Sequence, residues 1–599
     1  MPMKNYFLRK GKEYIPFYQR KVHLRMFAVL LIFISSIHLG YTQNIKTITG
    51  TITDESSEPI IGASITVENT SVGTVTNSDG NFSLNVPANT QRLKISYVGF
   101  ISQTIDITNR VSFNIVLKED QKMLDEIVVV GYGTQKKATL TGSVAAINSE
   151  ELMATKNSNV QNMLTGKIAG VRVIQKTSEP GEFNNQFDIR GFGNPLVVVD
   201  GVPRGDFSRM DPNDIESISV LKDASAAVYG VRAANGVVLI TTEKGEKGTA
   251  KIEYSMYYGI QNPIEKLKPV GAVNRMTLFN ERSMRSTTDP KLTFSQEQIN
   301  EYLTGQKVST DWYDEVMKST ATQQQHNVSV SGGGDKVDYY VNFGYTEQGG
   351  FFKSNSLNYD RYNLRSNLNA QIIKNLKASL KLNGIIDQRD RPRASTWEIY
   401  KTLWRSIPSE SVYANNRAGY YDKPNGDIQN VVAMADADVS GYVNNKKRLF
   451  QSTMDLTYDI PFITGLSAKG LFSYDTTIDD NTEYTKEYNE YNYDEATGIY
   501  TAVPKNVPSR LYRRYNTSYS RLWQLSLNYN RLFAQAHNVS GLLLWEESYN
   551  QGDNIWAQRD LEIPIPYLFA GNSTNQIGNG DGISAVSYTH LTLPTNREV

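Results

Sequence analysis

Residue types that cut bonds or hold metals are scarce in this chain. It has no cysteine, which excludes thiol nucleophiles, disulfide frameworks and Cys-ligated zinc. Five histidines occur, His23, His38, His326, His537 and His590, and no two stand at a metal-pair spacing such as His-x3-His. No Gly-x-Ser-x-Gly sits between a strand and a helix, so a nucleophile elbow is absent. Carboxylates are plentiful but scattered, and an acid–base pair cannot be picked out without geometry. Asn77-Ser78-Asp79-Gly80-Asn81 could open a calcium loop. It lacks the later ligands and the distal glutamate, so it reads as a hairpin turn. Lys and Arg total 62 against 62 Asp and Glu, which argues against nucleic acid as a partner. This inventory predicts a chain that is not an enzyme and needs no cofactor or metal.

Two sets of residues remain as candidates for binding or mechanical work. One is the β-branched run Glu126, Ile127, Val128, Val129, Val130, Gly131, Tyr132 and Gly133, led by Asp125. A short strand with no obvious partner can add to the sheet edge of another protein, or it can be one more strand of the domain before it. The other set is Ile189, Arg190, Gly191, Asp200, Gly201, Gly230, Asn235 and Gly236. Arg190 can make charge-assisted bonds to carboxylates, and the glycines permit tight turns. For Arg190 and Asp200 the reading favoured is fold-stabilising ion pairing.

The elements around these residues change character along the chain. Residues 1–43 read as a secretory signal peptide: seven basic residues precede the apolar run Met26–Leu39, and translation starts at Met1 or at Met26. The run is short for a spanning helix, and without a lipobox cysteine no lipid anchor is expected. Residues 45–118 alternate apolar and polar in short strands between turn signals, the pattern of a β-sandwich. Residues 124–135 hold the β-branched run. Residues 136–245 mix helix and strand signals. Helical spacing covers Asn157–Ile168, and strands are predicted at Val171–Gln175, Leu196–Asp200, Ile215–Leu221 and Gly236–Thr242. Seven of the 36 tyrosines precede residue 250 and 29 follow it. From 249 to 585, about ten long alternating strands are separated by short turns and by long polar loops at Tyr400–Asn445 and Tyr484–Arg513. That layout predicts part of an antiparallel transmembrane β-barrel. Val586–Val599 does not continue the pattern and reads as an artefactual tail.

Particular motifs sharpen this reading. Gly50-x-Ile52-x-Asp54, Pro59-Ile60-Ile61-Gly62-Ala63, Asp79-Gly80-x-Phe82 and Ser96-Tyr97-Val98-Gly99-Phe100 resemble the carboxypeptidase regulatory-like domain, a seven-stranded sandwich. Ile189-Arg190-Gly191, Pro195 to Pro203, Asn213-Asp214-Ile215-Glu216-Ser217-Ile218, Val220 to Ala226 and Tyr229 to Thr242 resemble the plug of SusC/RagA-type TonB-linked outer-membrane proteins. The resemblance covers residues 45–245 in family order. It implies a mainly β protein: an N-terminal sandwich, an α/β plug, and part of a 22-stranded barrel in the cell outer membrane, contacting lipid. It gives Glu126–Gly133 the role of a TonB box, offered to TonB with its ExbB–ExbD motor. It implies a SusD-like surface lipoprotein as partner and an oligosaccharide or peptide as cargo. Loop aromatics such as Trp397, Tyr420 and Tyr421 could stack on sugars or pack the loops. A non-energised receptor or adhesin is the competing reading, and a periplasmic enzyme the third.

Overall fold

The computed structural model describes residues 45–592, apart from 55–56, 68–69, 71, 89, 98–99, 101, 109, 119–126, 131–132, 137–143, 223, 287, 289, 534–536 and 581–583. For 127–130 and 133–136 only the backbone is described. Two compact units result, Met1–Glu126 and Ile127–Val599.

In the first unit, seven strands form two sheets. They are β1 (Ile45–Thr53), β2 (Ser64–Val67), β3 (Gly73–Val75), β4 (Asn81–Pro87), β5 (Arg92–Ser96), β6 (Gln103–Asp106) and β7 (Ser112–Val116). One sheet has the order β4-β1-β7 and the other β3-β2-β5-β6. The alternation in β4, where Phe82, Leu84 and Val86 are buried and their neighbours exposed, gives each sheet one apolar face. Those faces close a core of Ile48, Ile52, Ile65, Leu93, Ile95 and others. Asn77–Gly80 is a tight turn, with Asn77 Oδ1 accepting from the backbone N–H of Asp79 and of Asn81, but it is not the hairpin turn expected: it carries the chain from β3 in one sheet to β4 in the other.

The second unit opens with β8 (Ile127–Val130) and β9 (Gly133–Lys136), an antiparallel hairpin. The run expected to lack a partner therefore pairs with the residues that follow it. β10 (Val144–Asn148) begins the plug. After it come the hairpin of β11 (Val171–Ile174) and β12 (Gln186–Ile189), then β13 (Leu196–Val199), β14 (Val202–Arg204), β15 (Ile215–Leu221) and β16 (Val237–Thr242). The plug sheet has the order β10-β15-β16-β13-β14. Both of its faces are covered, by Ile147, Ile218 and Ile240 with their neighbours on one side and Val198, Leu221 and Leu239 on the other. That explains the continuous apolar runs of β13 and β16. The segment Asn157–Ile168 is helical only over Val160–Met163 and continues as turns. Helical turns over Ala224–Ala233 are interrupted at Gly230, whose φ of 69° is not helical.

A curved antiparallel sheet completes the unit: β17 (Gly248–Gln261), β18 (Ala321–Gly333), β19 (Val337–Gly349), β20 (Asn358–Ile373), β21 (Leu376–Pro392), β23 (Gly441–Asp459), β24 (Leu466–Thr485), β27 (Arg510–Phe533), β28 (His537–Leu561), β29 (Gly571–Asn579) and β30 (Ser584–Thr592). Among the described residues the sheet has eleven strands rather than ten, and its first and last strands do not pair with each other. The last strand corrects one expectation. Residues 586–592, read as lying outside the strand pattern, pair with β28. Alternation along these strands is inverted relative to a soluble sheet. Exposed positions carry Ile252, Tyr254, Met256 and Tyr258 on β17, Leu364 and Leu368 on β20, and Trp523, Leu525 and Leu527 on β27. The covered face carries Asn342, Arg361, Asn363, Arg365 and Asn367. Apolar residues outside and polar ones inside are the signature of a membrane barrel wall. No helix among the described residues is long and apolar enough to cross a membrane.

One end of the sheet has short turns, such as Lys374-Asn375 between β20 and β21. The other has long connections that are not bare loops. They hold helices Ala272–Met284, Gln296–Leu303 and Thr396–Arg405, and a small sheet of β22 (Tyr421–Asp422), β25 (Tyr488–Asp494) and β26 (Ile499–Lys505). Trp312, Phe352, Ile399, Leu403 and Val431 give these connections a core of their own.

Candidate functional site between plug and wall

The plug is held against the inner face of the curved sheet by charged side chains that meet in pairs. Each pair joins one plug residue to one inward position of a wall strand. Arg204, at the end of β14, reaches Asp475 on β24 through two nitrogens, Nε at 2.9 Å and Nη2 at 3.2 Å. Its Nη2 also donates to Thr453 Oγ1 on β23 at 3.2 Å. Arg209 Nε donates to Asp387 Oδ2 on β21 at 2.8 Å, and its guanidinium lies 4.7 Å from the centre of the Phe183 ring. Arg232 pairs with Glu546 on β28, and Gln524 on β27 donates both to Glu546 Oε2 at 2.7 Å and to the Gly201 carbonyl at 3.1 Å. Arg389 on β21 runs the other way, binding plug residues Glu179 at 2.5 Å and Glu182 at 2.7 Å.

The most deeply buried pair is Asp214 with Arg365 of β20, 3.2 Å apart and 1% and 2% exposed. Asp211-Pro212-Asn213-Asp214 makes the expected turn, with Asp211 Oδ1 accepting from Asn213 N at 2.9 Å. That turn points Asp211 and Asp214 at the wall. Asn327 and Gln325 of β18 donate to Asp211 at 2.5 and 3.3 Å, and Asn342 of β19 donates to Asp214 Oδ1 at 2.8 Å. Burial drives the Asp214 carboxyl up to about 6, outweighing the attraction of Arg365. Half-buried Glu243, just past β16, rises to about 7 through burial and then through the neighbouring charges of Glu216, Asp214 and Glu246. A carboxylate taken out of water tends to become neutral unless its partners compensate.

Asp200 shows the opposite balance. Burial opposes its charge, but Lys381 of β21 at 3.3 Å, Arg365 and two bonds from Thr242 together hold its carboxyl below the usual range. Its backbone has φ 52° and leads into Gly201 at φ 86°, a left-handed pair that turns β13 into β14. Ile189 is buried in the plug core. Arg190 also adopts a left-handed conformation (φ 55°); its side chain is exposed, and its N–H donates to the Gly170 carbonyl at 2.8 Å. Gly191 N–H caps Asp188 Oδ1 at 3.0 Å. Gly236 (φ 91°) leaves no room for a side chain: a Cβ there would lie 2.8 Å from Ile189 Cδ1 and 2.9 Å from the Leu221 carbonyl. Asn235 Nδ2 donates to the Asn194 carbonyl at 3.2 Å.

The candidate TonB-box residues form a second place in the unit. Ile127–Val130 and Gly133 lie in the β8–β9 hairpin, while Glu126, Gly131 and Tyr132 fall outside the described residues. Sequence reasoning missed Arg204, Arg209, Arg232, Arg365, Asp387, Asp475 and Glu546. The wall residues among these stand at inward slots of alternating strands, a charged residue between apolar ones, as in Leu364-Arg365. That was the one signal available. Of the loop aromatics, Trp397 is 74% exposed. Tyr420 packs on Tyr491 and Tyr500 at ring distances of 4.4 and 5.0 Å, and Tyr421 on Tyr413 at 5.4 Å. No group of three or more His, Asp or Glu among the described residues is placed to hold a metal ion.

Known proteins resemble this chain in its parts and along most of its length. Residues 136–237 match the TonB-dependent receptor plug domain, and residues 48–129 match the CarboxypepD_reg-like domain. The TonB-dependent receptor SusC of Bacteroides thetaiotaomicron is 31% identical over 544 residues, covering 82% of this chain and 50% of that protein. A TonB-dependent receptor of Formosa agariphila is 30% identical over 521 residues, covering 86% and 47%. The chain spans about half the length of the curated relatives it matches. Among solved structures, the RagAB peptide importer in its open-open state superposes with a TM-score of 0.63 at 24% identity, covering 78% of this chain and 54% of that one. At that identity the likeness speaks for the fold alone.

Proposed function

The chain belongs to the SusC/RagA-type TonB-dependent receptors, and from that premise we propose that it serves the energised import of an oligosaccharide or peptide across the bacterial outer membrane. The observation that carries this reading is the plug seated on the wall by buried ion pairs. Separating a buried pair leaves uncompensated charge and costs about 3–5 kcal/mol. Asp214–Arg365 is such a pair, the partly buried pairs beside it add to the seating, and work delivered from outside would displace the plug. An outer membrane has no nucleotide supply, and a mechanical link through a recruited strand can deliver that work. Residues 126–133 are the proposed link, read by TonB through strand pairing and driven by ExbB–ExbD. A SusD-like lipoprotein is the proposed partner at the long-loop end, and the lipid-facing band of the sheet sits in the outer membrane.

Deleting residues 126–133 from the full-length receptor tests this. The expected result is loss of growth on the cognate nutrient, with heat-modifiable migration from the outer membrane unchanged. Undiminished uptake by the deleted receptor would overturn the energised, TonB-driven step and favour a non-energised receptor. A soluble, heat-insensitive product would overturn the membrane assignment.

A further inference from the structure

We propose that the plug loop between β11 and β12 is a latch. It ties the plug to the helix Thr396–Arg405 of the long connections, so that loosening either one loosens the other. The proposal rests on the import reading, in which the plug is the part that moves, and adds a regulatory contact to it.

The loop is a tight turn pressed on the wall. Over Glu179-Pro180-Gly181-Glu182, the Glu182 N–H donates to the Glu179 carbonyl at 3.1 Å. Proline takes the second position and glycine the third, at φ 71°, as a type II turn requires. Glycine is needed there for a second reason. A Cβ would fall 2.4 Å from Tyr359 Cδ2 and 3.0 Å from Arg389 Cδ. Pro180 is buried, and Phe183 meets Tyr359 edge-on with ring centres 5.3 Å apart. Arg389 of β21 grips the turn with all three nitrogens. Nε donates to the Pro180 carbonyl at 2.9 Å, Nη1 donates to Glu182 at 2.7 Å, and Nη2 pairs with Glu179 at 2.5 Å.

Glu179 also reaches past the wall. The oxygen that pairs with Arg389, Oε1, accepts from Thr396 Oγ1 at 2.6 Å. Thr396 is the first residue of the helix, where the helix dipole favours a negative charge. The helix's own capping box joins Ser395 to Glu398 and leaves that hydroxyl to the plug. One carboxylate therefore holds both the wall and the helix start. Glu179 is 13% exposed and Arg389 17%, so water does little to replace a bond lost between them. From the helix start the contacts continue outward. Ile399 and Leu403 are fully buried and pack with Trp312, Phe352 and Val431 in the core of the long connections. A plug that shifts along the wall must draw Glu179 away from Thr396 or pull the helix start with it. In both cases the long connections register the displacement. Rearranging those connections slackens the turn in return, because coupling between two sites is reciprocal.

The test is amide hydrogen exchange on the full-length receptor in detergent, with heat-modifiable migration as the folding control. Glu179→Ala cuts the tie from the plug side. Exchange over residues 399–405 should then rise about tenfold, the effect of one lost bond to a charged group. Ile399→Ala perturbs the other side, and exchange over residues 182–189 should rise by a similar factor. Thr396→Val removes only the hydroxyl and should raise exchange in both stretches, whereas Thr396→Ser keeps the hydroxyl and should raise neither. Faster exchange confined to the substituted side in the two alanine variants would overturn the latch, and so would a Thr396→Val variant that matches Thr396→Ser. The receptor lacking residues 126–133 separates this from the function itself. Reciprocal exchange kept with uptake lost supports both readings. Reciprocal exchange kept with uptake undiminished sinks energised import and leaves the latch standing, and uptake lost without reciprocal exchange sinks the latch alone.

Discussion

Asp214 and Arg365 face each other where water does not reach, so each depends on the other for compensation. Arg365→Met leaves a buried carboxylate with no counter-charge and should cost about 3–5 kcal/mol of plug seating. Adding Asp214→Asn to that variant should recover a large part of the loss, because no uncompensated charge is then left buried and Asn342 can still donate to the amide oxygen. Hydrogen exchange over Ile215–Leu221 reads this directly; equal loss of protection in the single and double variants would show that the pair is not coupled. The same site sets a pH response. Asp214 and Glu243 ionise at about 6 and about 7 in the folded chain, above their ordinary values of 3.8 and 4.5. The folded plug thus holds more protons in that window, and the stability this supplies is full below the ordinary values and is lost as pH rises through 6 and 7. Asp200, with a lowered value, acts the other way and only in acid, losing its contribution as pH falls through its folded value. Plug protection, corrected for intrinsic exchange, should therefore be greater at pH about 5.5 than at about 8. The difference should shrink in Asp214→Asn with Glu243→Gln; a pH dependence unchanged by both substitutions would refute the assignment.

At the scale of elements, the two faces of a wall strand should tolerate opposite changes. Leu525 lies in the exposed apolar band and Ser520 on the inner face of the same strand. A Leu525→Arg substitution should cost about 2–4 kcal/mol of barrel stability at the bilayer centre, and Ser520→Arg far less. The urea midpoint of the heat-modifiable band in lipid vesicles measures both, and equal midpoints would contradict the facing deduced from alternation. The strands themselves were legible because that alternation is strong where lipid lies outside. Their upper ends were not: Asn444–Arg448, Asp479–Thr485 and Arg510–Thr517 are polar on both faces, so hydropathy stops alternating while the ladder continues. The helix Thr396–Arg405 was passed over for a related reason, since its Ile399 and Leu403 pack on other connections rather than on the core of the plug or the sandwich. In the plug, the strands were legible from runs such as Leu196–Val199. The ion pairs were not, because Arg204 and Asp475 stand 271 positions apart and nothing local links them. The turn at Asp211–Asp214 could be read as a turn, but not as the device that aims two carboxylates at the wall.

At the scale of the whole molecule, the chain divides where its core divides. The sandwich of β1–β7 closes its own apolar interior, from Ile48 and Ile52 to Ile115 and Leu117, and no side chain of that cluster comes from beyond residue 117. A domain of roughly 70 residues can fold alone when it buries about 60% of its chain surface, although its margin is small. The prediction is that residues 45–118, expressed by themselves, unfold in a single cooperative transition on heating. Ile95 is the natural probe, being fully buried on β5 between both sheets. Ile95→Ala removes buried methyl groups and leaves a cavity, at a cost of about 2–5 kcal/mol. Set against a total near the low end of the usual 5–15 kcal/mol, that loss should leave a large share of the isolated domain unfolded at room temperature. In the full chain the same substitution should leave exchange protection in β13 and β16 unchanged, because their burial is supplied within the second unit. Loss of protection in those plug strands would mean that the two units fold as one, and a broad, non-cooperative melt of residues 45–118 would mean that the sandwich core is not sufficient by itself.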